Sequence, residues 1–134
     1  MFLLDTNTVS ELMKRNPCAW GQLLAQERNK VFLCEVVVAE LFFGLNLLKD
    51  EKRKNLLQKE LAPILKTIEV LAWDRNTSQC FGEIKAGLTQ RGRPIADLDI
   101  AIAACALSHD CFLVTDNLSD FQRIDGLKVL NWKE

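Results

Sequence analysis

The sequence predicts an α/β domain in which a central, mainly parallel β-sheet is covered by helices on both faces. Short apolar runs such as Val31-Phe-Leu-Cys34 and Cys111-Phe-Leu-Val-Thr115 alternate with longer stretches of helical periodicity, the order expected of strand–helix–strand units. These runs lack the apolar–polar alternation of a half-solvated sheet, so both sheet faces should be covered. A chain of 134 residues is expected to form one domain, residues 1–134, with no linker and no internal repeat.

Met1-Phe-Leu-Leu4 reads as a buried strand, and Asp5-Thr6-Asn7 suits its exit into a capped helix with Val9, Leu12 and Met13 on one side. Pro17 fits the first turn of a second helix with Trp20, Leu23 and Leu24 as its apolar face, followed by a strand at Val31–Cys34. After Glu35, the residues Val36, Val37, Val38, Leu41, Phe42, Leu45 and Leu48 are too many for one narrow stripe and predict a largely buried helix. A charged helix starts at Asp50, turns Leu56, Leu57, Leu61 and Leu65 inward, packs on its neighbour as a hairpin, and is kinked or ended by Pro63. Thr67–Leu71 is a third strand, and Asp74–Leu88 a helix with Cys80, Phe81, Ile84 and Leu88 at helical spacing. A loop at Arg91–Pro94 leads to an alanine-rich helix, Asp97–Leu107, whose small residues permit close packing. The strand Cys111–Thr115 and a short strand near Leu127–Leu130 complete the chain.

Composition narrows the function. Lys and Arg total 17 against 18 for Asp and Glu, and the net charge of −1 lacks the basic excess of a general nucleic-acid binder. Basic groups at Lys14-Arg15, Lys52-Arg53-Lys54, Arg91 and Arg93 nevertheless leave a basic surface wherever the acids are gathered elsewhere. No apolar run approaches the ~18 residues of a membrane span, and the first residues show neither the basic segment nor the cleavage site of a leader, so the cytoplasm is the expected location. Five cysteines without a C-x-x-C pair argue against a disulfide framework and for buried, reduced thiols.

In parallel sheets ligands collect at the C-terminal edge of the strands. Asp5 at the end of the first strand, Asp99 near the start of the alanine-rich helix and Asp116 after the Leu-Val-Thr strand all fall there. Glu40 joins them where its helix turns that carboxylate to the same edge, with Asp97 and Asp120 in reserve. Clustered carboxylates repel one another, and a divalent cation is the usual remedy. With His109 as the single histidine and no zinc-type cysteine spacing, the ion should be hard, Mg²⁺ or Mn²⁺. Such a site suits phosphodiester hydrolysis, because the ion acidifies water and offsets charge on the departing oxygen. Metal-free RNA cleavage by paired histidines is excluded.

Each acid also has an ordinary explanation. Asp5 or Asn7 suits a helix N-cap, as does Asp97 or Asp99, while Glu40 alone reads as a solvated helix residue and Asp116-Asn117 as a turn. His109 beside Asp110 suits the shielding of a helix C-terminus, and Trp20, Trp73 and Trp132 suit core or interface packing.

Taken in order, Leu3-Leu-Asp5-Thr-Asn7, Val38-Ala-Glu40-Leu-Phe-Phe-Gly44, Pro94-Ile-Ala-Asp97-Leu-Asp99-Ile-Ala-Ile-Ala-Ala104 and Leu113-Val-Thr115-Asp-Asn117-Leu-Ser-Asp120-Phe121 resemble the four blocks of the PIN-domain family. The resemblance spans almost the whole chain. It implies a compact three-layer α/β/α domain, an acidic metal pocket and a homodimer. The Val9-Ser-Glu-Leu12 run after the first Asp is similar to the VapC-type toxins of type II toxin–antitoxin pairs, endoribonucleases that inhibit translation and are held inactive by a cognate antitoxin. By motif, Asp5, Glu40 and Asp99 match the family's first three acids and Thr115 a threonine near the metal site. Where many members place an aspartate two residues after that threonine, this chain has Asn117, so Asp116, Asn117 and Asp120 are alternatives for the fourth position.

The expected activity is therefore Mg²⁺- or Mn²⁺-dependent RNA hydrolysis, with Asp5, Glu40, Asp99 and Asp116 forming the pocket and Arg91, Arg93 or Lys85 touching phosphate. The expected substrate is RNA, with tRNA one candidate and the target itself not named by these motifs, and the expected partner is an antitoxin with a DNA-binding domain. An aspartyl phosphatase is a weaker rival, since Asn7 stands where its second Asp belongs. The other rival is a binding module whose acidic pocket accepts a partner's basic side chain.

Overall fold

The computed structural model describes residues 1–133. Its strands are β1 (Phe2–Leu4), β2 (Val31–Cys34), β3 (Glu69–Leu71), β4 (Phe112–Val114) and β5 (Val129–Leu130). The helices are α1 (Thr6–Met13), α2 (Pro17–Leu24), α3 (Glu35–Leu47), α4 (Glu51–Thr67), α5 (Arg75–Gln90), α6 (Asp97–Ser108) and α7 (Leu118–Phe121), with a 3₁₀ turn at Arg28–Lys30. All strand pairs are parallel, in the order β3-β2-β1-β4-β5. Successive residues of a strand face opposite sides, and every residue of β2 is buried, as are Leu113 and Val114 of β4. Both faces are therefore covered, as the apolar runs predict.

The topology decides where a site can form. From β1 the chain winds outward through β2 to β3, then returns to β1's other side for β4 and β5. The connections diverge between β1 and β4, so the C-terminal ends of those two strands form the switch point at which such sheets place a ligand crevice. Register there is set by the pairs Phe2↔Phe112, Leu3↔Leu113 and Leu4↔Val114. The crevice is thus flanked by the residues that follow, Asp5 and Thr115.

Several elements depart from expectation. Within α2 only Ala19 is buried and Leu24 is 77% exposed, because this helix lies against α1 at the periphery. Its Trp20 is half-buried and donates its indole N–H to the Leu12 carbonyl at 2.8 Å. The largely buried α3 holds for one stripe, Val37, Leu41 and Leu45, whereas Phe42, Phe43 and Leu47 stay exposed. A helix meets its neighbours along one side, and an all-round apolar sequence leaves the opposite side uncovered. Pro63 does not end α4, which continues to Thr67 with Leu61 and Ile64 buried while Leu56 is exposed. One missing N–H is outweighed by packing on both sides of it.

The junction of α5 and α6 is closely fitted. Asp74 caps α5 in a reciprocal capping box with Thr77, and the buried Thr77 hydroxyl meets the Ser108 hydroxyl of α6 at 2.8 Å. His109 ends α6 through its backbone N–H, but its ring Nε2 pairs with the Ala72 carbonyl at 2.9 Å rather than shielding the helix end. Trp132 is core, whereas Trp73 is partly exposed against Phe81. Cys34, Cys105 and Cys111 are buried free thiols, while Cys18 is exposed. Among the described residues, no helix is long and apolar enough to cross a membrane.

Burial separates two leucines that the sequence treats alike. Leu113→Ala, on a central strand at 0% exposure, should cost about 2–5 kcal/mol in urea unfolding. Leu24→Ala should change stability by no more than about 0.5 kcal/mol.

Candidate active site

Asp5 anchors the crevice. Its backbone N–H extends the β1–β4 ladder by donating to the Val114 carbonyl at 3.0 Å, and its Oδ1 accepts the Thr8 N–H at 2.8 Å as the N-cap of α1. The Thr8 hydroxyl donates to the same Val114 carbonyl at 3.0 Å, so cap and strand are locked together. Burial drives the Asp5 carboxyl above the usual carboxylate range, opposed by hydrogen bonds from Thr115 and Thr8, with a small further rise from Asp116. Capping explains the residue's position and occupies one of its two oxygens.

Asp99 has no capping role. It stands in the first turn of α6, whose N-cap Ala96 contributes no side-chain bond. Its carboxyl is pushed up first by burial, then by the charges of Glu40, Asp120 and Asp5. Three carboxylates, from the end of β1 and from α3 and α7, therefore act electrostatically on Asp99 of α6. Among the described residues, no three His, Cys, Asp or Glu side chains converge on one point at ligand distance, an arrangement like charges resist.

Neighbouring side chains hold two of these acids. Glu40, half-buried, accepts the Thr6 hydroxyl on Oε1 at 2.7 Å. Asp120 accepts the Asn117 side-chain N–H on Oδ2 at 3.2 Å and pairs with the Arg123 guanidinium through Oδ1. The Asn117 and Arg123 hydrogen bonds hold its carboxyl below the usual range. The buried Thr115 hydroxyl accepts the Asn117 backbone N–H at 3.0 Å, which ties the fourth block together.

Asp116 and Asp97 have partners of their own, although the charge of Asp116 also reaches Asp5. Asp116 is exposed, accepts the Asn7 side-chain N–H at 3.3 Å and lies 3.7 Å from Lys133 Nζ, and it is not among the charges that raise Asp99. Asp97 pairs with Lys85 at 3.1 Å. Arg91 contacts Asp125 and the Arg123 carbonyl, each at 3.4 Å, while Arg93 is exposed in the loop after α5. Thr6 and Arg123 escape sequence reasoning. Arg123 carries a detectable signal, three residues after Asp120 at helical spacing, but Thr6 carries none, because its partner lies 34 residues away.

The donor set is all oxygen and mostly anionic, with His109 turned to Ala72 and three thiols buried in the core. It fits a hard divalent cation and offers little to zinc. The raised Asp99 carboxyl has a consequence for stability. A carboxyl whose folded-state pKa exceeds its unfolded value makes stability fall as pH rises between the two, and the cost persists at neutral pH. In chelating buffer at pH 7, Asp99→Asn should therefore melt above the wild type in scanning calorimetry, and the gap should close as pH falls below the unfolded value.

Comparison with known proteins agrees with this geometry. The family model described as PIN domain matches residues 2–127. The chain is 32% identical over 131 residues to "Ribonuclease VapC2" of Haemophilus influenzae, covering 98% of this chain and 97% of that one. It is 32% identical over 141 residues to "Toxin FitB" of Neisseria gonorrhoeae, covering all of both. Among solved structures, that of VapBC2 from Rickettsia felis, bound to a DNA fragment from its promoter, superposes with a TM-score of 0.88 at 27% identity over 98% of each chain. Sheet order, crevice and sequence blocks thus coincide in one assignment, and the chain belongs to the PIN-domain family.

Proposed function

We propose that the chain is a metal-dependent endoribonuclease that hydrolyses RNA phosphodiester bonds as the toxin of a toxin–antitoxin pair. The observation that carries this reading is the gathering of Asp5, Glu40 and Asp120 around Asp99, on which all three charges act, at the C-terminal edge of β1 and β4. The names of the relatives support it, one a ribonuclease and another a toxin.

In this reading Asp5, Glu40 and Asp99 hold Mg²⁺ or Mn²⁺. Asp120 is favoured over Asp116 for the fourth position, because Asp120 acts on Asp99, whereas Asp116 adds only a small effect on Asp5 and is paired with Asn7 and Lys133. The ion supplies an acidified water and charge to offset the departing oxygen. The chain supplies orientation: Thr8 and Thr115 fix the Asp5 carboxylate, Thr6 engages Glu40, and Asn117 with Arg123 engages Asp120. Arg93 stands ready for phosphate. Lys85 and Arg91 exchange their exposed pairs with Asp97 and Asp125 for RNA at little cost, since such surface pairs contribute little.

The wider setting belongs to the same reading. Residues 1–134 act as one cytoplasmic domain and pair as a homodimer. The natural partner is an antitoxin with a DNA-binding domain, as the promoter-bound complex of the Rickettsia relative suggests.

The test is cleavage of a structured-RNA pool that includes tRNA, with Mg²⁺ or Mn²⁺ and with EDTA. Asp5→Asn and Asp99→Asn should each lower the rate by at least about 100-fold, EDTA should abolish cutting, and Asp120→Asn should be more harmful than Asp116→Asn. Full activity in Asp99→Asn, or cutting that survives EDTA, would overturn the assignment.

A further inference from the structure

We propose that Thr6 is a positioning residue for the nuclease centre, its hydroxyl fixing the carboxylate of Glu40 from across the fold. This rests on the nuclease reading above and deepens it.

Thr6 is the first residue of α1 and directly follows Asp5, the N-cap. Its hydroxyl reaches across to α3 and donates to Glu40 Oε1 at 2.7 Å. That length falls in the range of charge-assisted O–H···O⁻ bonds, the strong class. Glutamate has three rotatable side-chain bonds, and Glu40 projects from the second turn of a helix rather than from a strand end, so the backbone alone does not fix its head. The Thr6 bond engages one carboxylate oxygen. Among the described hydrogen bonds and ion pairs the other has no partner, and Glu40's charge is felt at Asp99.

The same short segment therefore performs two tasks. Asp5 contributes an acid, and Thr6, one residue later, orients an acid from another element. Because Asp5 is locked to Val114 and Thr8, the donor at Thr6 is itself rigidly placed. Threonine is well suited, since β-branching restricts its first side-chain torsion.

Thr6→Val removes the donor at nearly constant shape, and Thr6→Ser keeps it. Three readouts on the purified chain decide the matter: thermal unfolding, Mn²⁺ affinity by titration calorimetry, and kcat and KM for RNA cleavage. Thr6→Val should keep its fold, lose about 10- to 100-fold in Mn²⁺ affinity or in kcat, and leave KM for RNA near the wild-type value. Thr6→Ser should restore most of the loss. In a Glu40→Gln background, Thr6→Val should add no further loss, because the two residues act as a unit. A loss of equal size in both backgrounds, or wild-type ion affinity and kcat in Thr6→Val, would overturn the positioning role while leaving the nuclease reading intact. A wild-type chain that neither binds Mn²⁺ nor cuts RNA would overturn both.

Discussion

The register between β1 and β4 is the constraint on which the rest of the molecule depends. Leu4 pairs with Val114, and the Asp5 N–H continues the ladder to the Val114 carbonyl. That carbonyl also accepts the Thr8 hydroxyl, so the last strand bond, the cap of α1 and the placement of Asp5 share one atom. A slip of one residue would reverse which side chains of β1 face which helices and would carry Asp5 away from Thr115. The fully buried Leu3, Leu4, Leu113 and Val114 oppose such a slip, because either neighbouring register would rotate well-packed apolar groups into the wrong layer. Core packing and site geometry are thus one specification.

That rigidity is what makes the acid cluster tolerable. Asp5 and Asp99 are held where burial and like charge disfavour ionisation, a standing cost that the core must offset. Helix geometry offsets part of it locally. Asp5 caps α1, Asp99 stands in the first turn of α6, and Asp120 in the first turn of α7, positions where exposed backbone N–H groups favour negative charge. The sheet edge therefore brings together acids and the helix ends that stabilise them. It also shows why capping and ligation are not competing explanations for Asp5, since a cap uses one oxygen and fixes the direction of the other.

Legibility follows the range of the interaction. Strands and helices were readable because burial on two faces or on one stripe leaves local periodicity, and the position of Asp5, Glu40 and Asp99 along the elements followed from the same pattern. What was not readable depends on contacts between distant segments. Nothing in Pro17–Leu24 says that α2 lies at the periphery with Leu24 exposed, and the all-round apolar character of α3 hides which stripe, Val37–Leu41–Leu45, meets the interior. Pro63 does not end α4, because local propensity is outweighed by the burial of Leu61 and Ile64. Near Thr115 three candidates within five residues differ only in partners the sequence does not show, Asp116 against Asn7 and Lys133, and Asp120 against Asn117 and Arg123.

The near-zero net charge, which weighed against nucleic acid at first sight, takes a different meaning in this geometry. Acids at the crevice belong to a site suited to a cation, and once their charge is offset they no longer repel a polyanion. Two basic residues on and just after α5 form ion pairs with exposed acids at 3.1–3.4 Å, Lys85 with Asp97 and Arg91 with Asp125. Such pairs are held weakly in water and screened by salt. A phosphate backbone presents a denser line of charge and competes well for the same groups. In the proposed reading, affinity for RNA rests on a few exchangeable surface pairs, and cleavage on a rigid acidic centre. The total charge of the chain reports on neither, because the two sets of residues act at different places and nearly cancel in the sum.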